Sequence, residues 1–235
     1  MTSPSAIRHA GALWAHRAAA ELDAAARFAR LVTLLRAAGA RAVVVDMARA
    51  AVDDEHRHHT RCVALARRFG VSVTDAARIP APALAAGPRS AVEQALYETV
   101  AMSCVTESLS TALLMEIRAA VVDDEVAATV DEILRDEVDH ARLGWAHLAA
   151  EAPRHDLAFL GPRLPAVLAH TVHEEIFATD DGGPLALEVA GLGGLPRPRR
   201  RAVLVQSMHD VVFPGLRRHG VDTIDAERWL AARVA

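Results

Sequence analysis

The sequence contains no lysine; all 26 of its basic residues are arginine. Chemistry that needs a lysine amine, such as a Schiff base or a phosphate-binding P-loop, is therefore excluded. Cysteine is nearly absent as well. Cys62 and Cys104 form no CxxC pair, so neither a rubredoxin module nor a structural zinc ribbon can be built, and a disulfide scaffold is not expected. Aromatics make up only 4% of the 235 residues. The sequence offers no run approaching the roughly 18 apolar residues of a membrane span, and "MTSPSAIRHAGALWAH" lacks the apolar centre of a signal peptide. A cytoplasmic chain with no membrane partner is the expectation. The formal charge of −4 likewise points away from nucleic acid.

Alternating strand patterns are missing too. What remains is helix: alanine, leucine, arginine and glutamate dominate, all good helix formers. Four long helical stretches are expected, from about Ser5 to Ala38, Arg41 to Phe69, Ser90 to Ala120 and Asp123 to Ala150. Gly39 and Gly70 close the first two, as glycine commonly does at a helix C-terminus. Ser90 with Glu93 forms a capping box for the third. Short turns within each pair and a link near 20 residues between the pairs imply two antiparallel hairpins joined by a lengthwise crossover. Residues 1–150 are expected to form this all-α bundle, and 151–235 a helical extension packed on it.

Each long helix carries an inward stripe at three- and four-residue steps, and one glutamate interrupts every stripe: Glu21, Glu55, Glu107 and Glu137. In the second and fourth helices a histidine follows three residues later, His58 and His140, on the same face. Depth matches as well. Glu21 lies 18 residues before Gly39 and Glu55 lies 16 after it; about a turn near residue 121, Glu107 lies 14 before and Glu137 16 after. At about 1.5 Å per residue, each pair of acids differs in depth by only a few ångströms.

Four carboxylates in a low-dielectric interior cost several kcal/mol each or more unless they take up protons or bind cations. Four anionic and two imidazole ligands suit two divalent ions, and an oxygen–nitrogen set without thiolate suits iron or manganese.

At these residues the sequence resembles the ferritin-like di-iron carboxylate superfamily, in which two helices give one Glu each and two give Glu-x-x-His. The stretch "DEHRH", Asp54 to His58, matches the Asp-Glu-x-Arg-His motif of bacterial multicomponent monooxygenases. "DEVDH", Asp136 to His140, matches it without the Arg. The resemblance implies a ferritin-like four-helix bundle with Glu21, Glu55, His58, Glu107, Glu137 and His140 as metal ligands and catalytic residues. It places Asp54 and Asp136 behind the ligand histidines. His147, seven residues after His140 on the inward stripe, is a further candidate for that supporting role. Rubrerythrin-like peroxidases carry another Glu where this chain has Ser110.

The implied activity is that of a non-haem oxidase or oxygenase using two Fe ions, with Mn as an alternative. It would act on a small organic substrate with O2 and an external electron donor, in a biosynthetic or tailoring step. A homodimer is allowed. A ferroxidase or peroxidase-type metal-handling protein and a non-catalytic helical interaction protein are the alternatives. Small residues near the metal level (Ala18, Ala25, Ala51, Ser103, Ser110, Gly144, with Cys104, Thr106 and Thr111) would leave room for substrate. In the tail, "HTVHEE" would put His170, His173 and Glu174 on one helix face. "RPRRR", 197–201, would either start a solvated helix or dock an acidic donor.

Overall fold

A computed structural model describes residues 2–74, 81–84, 90–178 and 183–234. Every regular element among them is helical. The first, α1 (Pro4–Ala37), starts where Ser3 accepts from the Ala6 N–H at 3.2 Å and proline occupies the first turn. Gly39, at φ 67°, reverses the chain into α2 (Ala42–Arg68), and Gly70, at φ 82°, ends that helix. The Ser90–Glu93 capping box opens α3 (Ala91–Thr99), which continues through a π-helical stretch, Val100–Glu107, into α4 (Ser108–Ala120). Asp123 caps α5 (Asp124–Glu151) by accepting from the N–H groups of Glu125 and Val126.

These segments close a ring: α1 packs on α2, α2 on α5, α5 on the α3–α4 segment, and α3 on α1. Ion pairs set the directions. Arg57 meets Asp136, Arg61 meets Glu132 and Arg68 meets Asp123, so α2 and α5 run antiparallel. Arg30 meets Glu98 across α1 and α3. Thus α2 ends beside the start of α5, while α3 starts at the opposite end of the ring. Residues 71 and 90 therefore lie at opposite ends of the ring; between them, 75–80 and 85–89 lie outside the described residues.

One expected feature is corrected. The third helix is not a single regular α-helix, because the π turns interrupt it. Thr106 Oγ1 donates to the carbonyl of Ala101, five residues back, at 2.9 Å. The three- and four-residue stripe gives no sign of the wider turns. Burial does: Val100 to Val105 are all buried, so this helix is covered on every side. That apolarity also corrects the reading that no stretch could span a membrane. Ala91–Ala120 is long and apolar enough by composition, but 61% of its most apolar window is buried inside the fold, as befits a core helix.

The extension supplies that cover. It holds a 3₁₀ turn (Ala158–Arg163), α6 (Leu164–Thr171), a second 3₁₀ turn (Glu174–Phe177) and α7 (Gly183–Ala190). Then come α8 (Arg197–Ser207), a π stretch (Met208–Val212), α9 (Phe213–Arg218) and α10 (Ile224–Val234). Leu160, Leu164, Leu204, Met208, Phe213 and Leu216 are fully buried in one cluster with Leu96, Cys104 and Leu148 of the bundle. Each such side chain contributes roughly 1.5–3 kcal/mol relative to exposure, so bundle and extension share a core. A second clasp is Trp14, whose indole N–H donates to the Leu192 carbonyl at 2.9 Å. Gly193, at φ 98°, lies so close that a Cβ there would come within 2.6 Å of the same ring.

The tail departs from expectation in one place. His170, His173 and Glu174 do not share a helix face, because α6 ends at Thr171 and Val172 is extended; all three are exposed. The basic run forms the start of α8 and is committed within the chain: Arg199 pairs with Glu116, and Arg197 and Arg200 with Glu175.

Candidate metal centre

All six residues singled out by the stripe and depth arguments converge at one level of the ring. Glu21, Glu55, His58 and Glu137 can each offer a ligand atom within 4.8 Å of the others, and so can Glu55, Glu107, Glu137 and His140. The two groups overlap in Glu55 and Glu137. Five of the six are almost fully buried; Glu21 is only partly so.

The histidines carry the sharper information. His140 Nε2 lies 3.2 Å from Asp54 Oδ2, and His58 Nε2 lies 3.1 Å from Asp136 Oδ2. Each ring therefore donates outward to an aspartate on the opposite helix, which fixes its tautomer and turns the Nδ1 lone pair inward. His140 Nδ1 faces Glu55 Oε1 at 3.2 Å and Glu137 Oε2 at 3.5 Å without the alignment of a hydrogen bond. His58 Nδ1 faces Glu55 Oε2 at 3.3 Å. Lone pairs pointed at carboxylate oxygens repel unless a proton or a cation stands between them.

Glu55 Oε1, Glu107 Oε1, Glu137 Oε2 and His140 Nδ1 are buried with no hydrogen-bond partner among the described residues. Such orphaned atoms carry a heavy desolvation cost, and their convergence is what a cation site requires. The donor set also fits. Cys62 Sγ approaches Glu21 Oε1 at 3.9 Å, but burial and the neighbouring Glu21 charge push its pKa well above the ordinary thiol value. Its sulfur belongs to neither group of converging ligand atoms, which leaves carboxylate and imidazole as the ligating groups, a set suited to divalent transition metals.

Protons resolve the charge when no cation does. Burial, then the charges of Glu55 and Glu137, drives Glu21 well above the usual carboxylate range; burial and Glu137 do the same to Glu107. Burial opposes ionisation of Glu55 too, but the neighbouring imidazoles of His140 and His58 outweigh it and hold the group at about 2. The imidazole of His140 is disfavoured by burial yet raised far above its ordinary value by Asp54, Glu137 and Glu55. His58 moves the same way through Glu55 and Asp136, against burial.

Asp54 and Asp136 both contact the histidines, and each is held by Arg57, at 2.6 Å to Asp54 Oδ1 and 3.1 Å to Asp136 Oδ2. The second motif lacks an arginine because one guanidinium serves both aspartates. His147 is not brought to the cluster. It is buried on α5, neither ring nitrogen has a partner, and burial lowers its pKa. Ser110, which the sequence marked only as small, donates to Glu137 Oε1 at 3.2 Å. Phe28 packs against the His140 ring at 5.2 Å between centroids.

Packing at Gly144 is close and leaves no open space. A Cβ there would come within 2.7 Å of Cys104 Sγ and 2.8 Å of the Ser103 Cβ. Space lies on the outer face of the same hairpin, in a groove of about 570 Å³ roofed by α8 and its π stretch, with Ser108, Thr111, Met115, Val138, Trp145 and Val211 among its walls.

No protein-family model matches the chain, and no curated protein is similar enough to it to match. The buried carboxylate and histidine cluster is what speaks to function: a helical protein with a site that could hold metal.

Proposed function

We propose that the chain is a non-haem di-iron oxidase or oxygenase of the ferritin-like type, acting on a small organic substrate. The supporting observation is that two four-residue ligand groups share Glu55 and Glu137. Shared carboxylates are how two ions are held side by side. Glu21 and His58 complete one group, Glu107 and His140 the other. The antiparallel pairing of α2 with α5, with residues 71 and 90 at opposite ends of the ring, agrees with the ferritin-like arrangement.

Bound there, two iron ions would supply the redox chemistry of O2 activation. The chain's own residues have definable tasks. Asp54 and Asp136 accept the Nε2 protons of His140 and His58 and keep the Nδ1 lone pairs free. Arg57 neutralises both aspartates, so that neither takes the imidazole proton outright. Ser110 orients Glu137 through one oxygen. The apolar wall of Phe28, Ala51 and Leu143, each nearly or fully buried, excludes water.

Anaerobic Fe(II) titration followed by O2 exposure tests the reading. Uptake near two irons per chain, then O2 consumption coupled to oxidation of an organic molecule with reductant present, is expected. Iron oxidation with mineral growth, or peroxide turnover alone, would favour the metal-handling alternative. A folded protein that refuses iron would leave an interaction protein.

A further inference from the structure

Arg17 lies one helical turn before Glu21 on α1, a spacing that permits an ion pair. None forms. The guanidinium lies over the Trp14 ring at 4.9 Å, and its NH1 nitrogen is buried without a partner. Among the described residues it makes no salt bridge, though Glu21, Glu137 and Cys62 are within electrostatic reach. Arg200 of α8 is also within that reach, so a second cation is held near the first. Its NH2 group stands 3.6 Å from the exposed Glu175, and its Nε nitrogen is buried and unpartnered.

Two guanidinium groups held near each other repel, and burial of each donor nitrogen forfeits its water. Stacking on Trp14 recovers only part of that cost. Burial, together with Arg200, lowers the pKa of Arg17 even though Cys62, Glu21 and Glu137 act to raise it. An anion between the two would remove both penalties. Each arginine thus has one unpartnered nitrogen, and a carboxylate has two oxygens, one to accept from each. A phosphate brings about twice the charge and a third oxygen, for which these two nitrogens offer no donor.

We propose that Arg17 and Arg200 recognise the carboxylate of an organic-acid substrate, whose body extends from there toward Glu21 and Glu137. This rests on the oxidase reading for what happens to the substrate, but not for its binding. Glu21 and Glu137, within electrostatic reach of Arg17, would oppose an anion in metal-free protein. With cations bound, that repulsion falls. Binding of the acid and of metal should therefore be mutually favourable.

The experiment is calorimetric titration of Mn(II)-loaded protein with sodium hexanoate, beside hexylamine and 1-hexanol as controls of equal length. Hexanoate is expected to bind roughly tenfold or more tighter than either control. Arg17→Leu and Arg200→Gln should each lose roughly tenfold or more in hexanoate affinity. Arg17→Lys, which keeps charge but not the planar fork, should fall between, and it covers the case in which Arg17→Leu does not fold. Equal hexanoate affinity in wild type and all three variants would place the carboxylate on the metal and overturn the proposal. Inorganic phosphate binding tighter than hexanoate, with the same variant losses, would overturn the carboxylate assignment. If wild type takes up no Mn(II), the di-metal reading fails separately; the wild-type and Arg17→Leu comparison in metal-free protein then decides the anion site alone.

Discussion

Asp54 reaches across the α2–α5 interface to His140, 3.2 Å from Oδ2 to Nε2, and not to His58 in its own motif. Asp136 makes the reciprocal reach to His58. Each DExxH-like segment thus supplies candidate ligands on one helix and the support for the other helix's histidine. Neither half of the centre is complete alone.

That exchange has a measurable consequence. Asp54→Asn should weaken metal affinity by roughly 10- to 100-fold, the usual effect of losing the group behind a ligand histidine. Asp136→Asn should do the same. Because Arg57 contacts both aspartates, Arg57→Ala should combine with either one less than additively. Metal-competition titrations of the three single and two double variants check this. Full additivity would mean that Arg57 acts independently of the aspartates.

Glu137 belongs to both ligand groups and Glu107 to one. Glu137→Ala should abolish uptake of both ions, whereas Glu107→Ala should leave a site that retains about one. Metal content per chain, measured after desalting, separates the two. Retention of two ions by Glu137→Ala would disprove the shared-carboxylate arrangement.

Metal-free protein should lose stability as pH rises. Folded-state pKa values of Glu21, Glu107, His58 and His140 are all raised. A raised group contributes its full stability below its unfolded value, about 4.3 for Glu and 6.5 for His, and loses it as pH climbs through the folded value. Between about pH 5 and 8 the melting temperature of chelated protein should therefore fall. Glu55, held at about 2, acts oppositely but only below about pH 4.3. Bound cations replace the protons, so metal-loaded protein should show a flatter profile. Thermal melts of both forms across this range provide the check. Parallel curves would contradict it.

Gly144→Ala should be destabilising although alanine favours helix by up to about 1 kcal/mol. Its Cβ would come within 2.9 Å of the Cys104 backbone nitrogen, inside the π stretch that ends at Glu107. Backbone cannot yield as a side-chain tip can, so overpacking of about 1–3 kcal/mol is expected. Calorimetry and metal uptake together report it: a lower melting temperature with weaker uptake is the expected pair. An unchanged melt would show that the helices can separate freely.

Much of this was legible in the sequence because it is local. Helix ends follow from Gly39, Gly70, Ser90 and Asp123, whose conformational or capping preferences need no neighbour. The six converging residues were legible because helical rise and periodicity turn sequence distance into depth and direction. Reading the small residues as room failed at Gly144 for the opposite reason. Side-chain volume says only that helices are able to approach, and Ser103 and Cys104 fill the gap.

What tertiary structure alone decided was pairing. The order of residues put Asp54 beside Glu55, but only the antiparallel packing of α2 on α5 could say which histidine it serves. The π stretch arises where α1, α5 and the extension enclose one helix on all sides. Arg17 and Arg200 come within electrostatic reach only because α8 folds back over the bundle, from 183 residues away in the chain. Periodicity along one helix carries no record of its neighbours; burial and charge compensation between helices do, and those exist only once the chain has closed on itself.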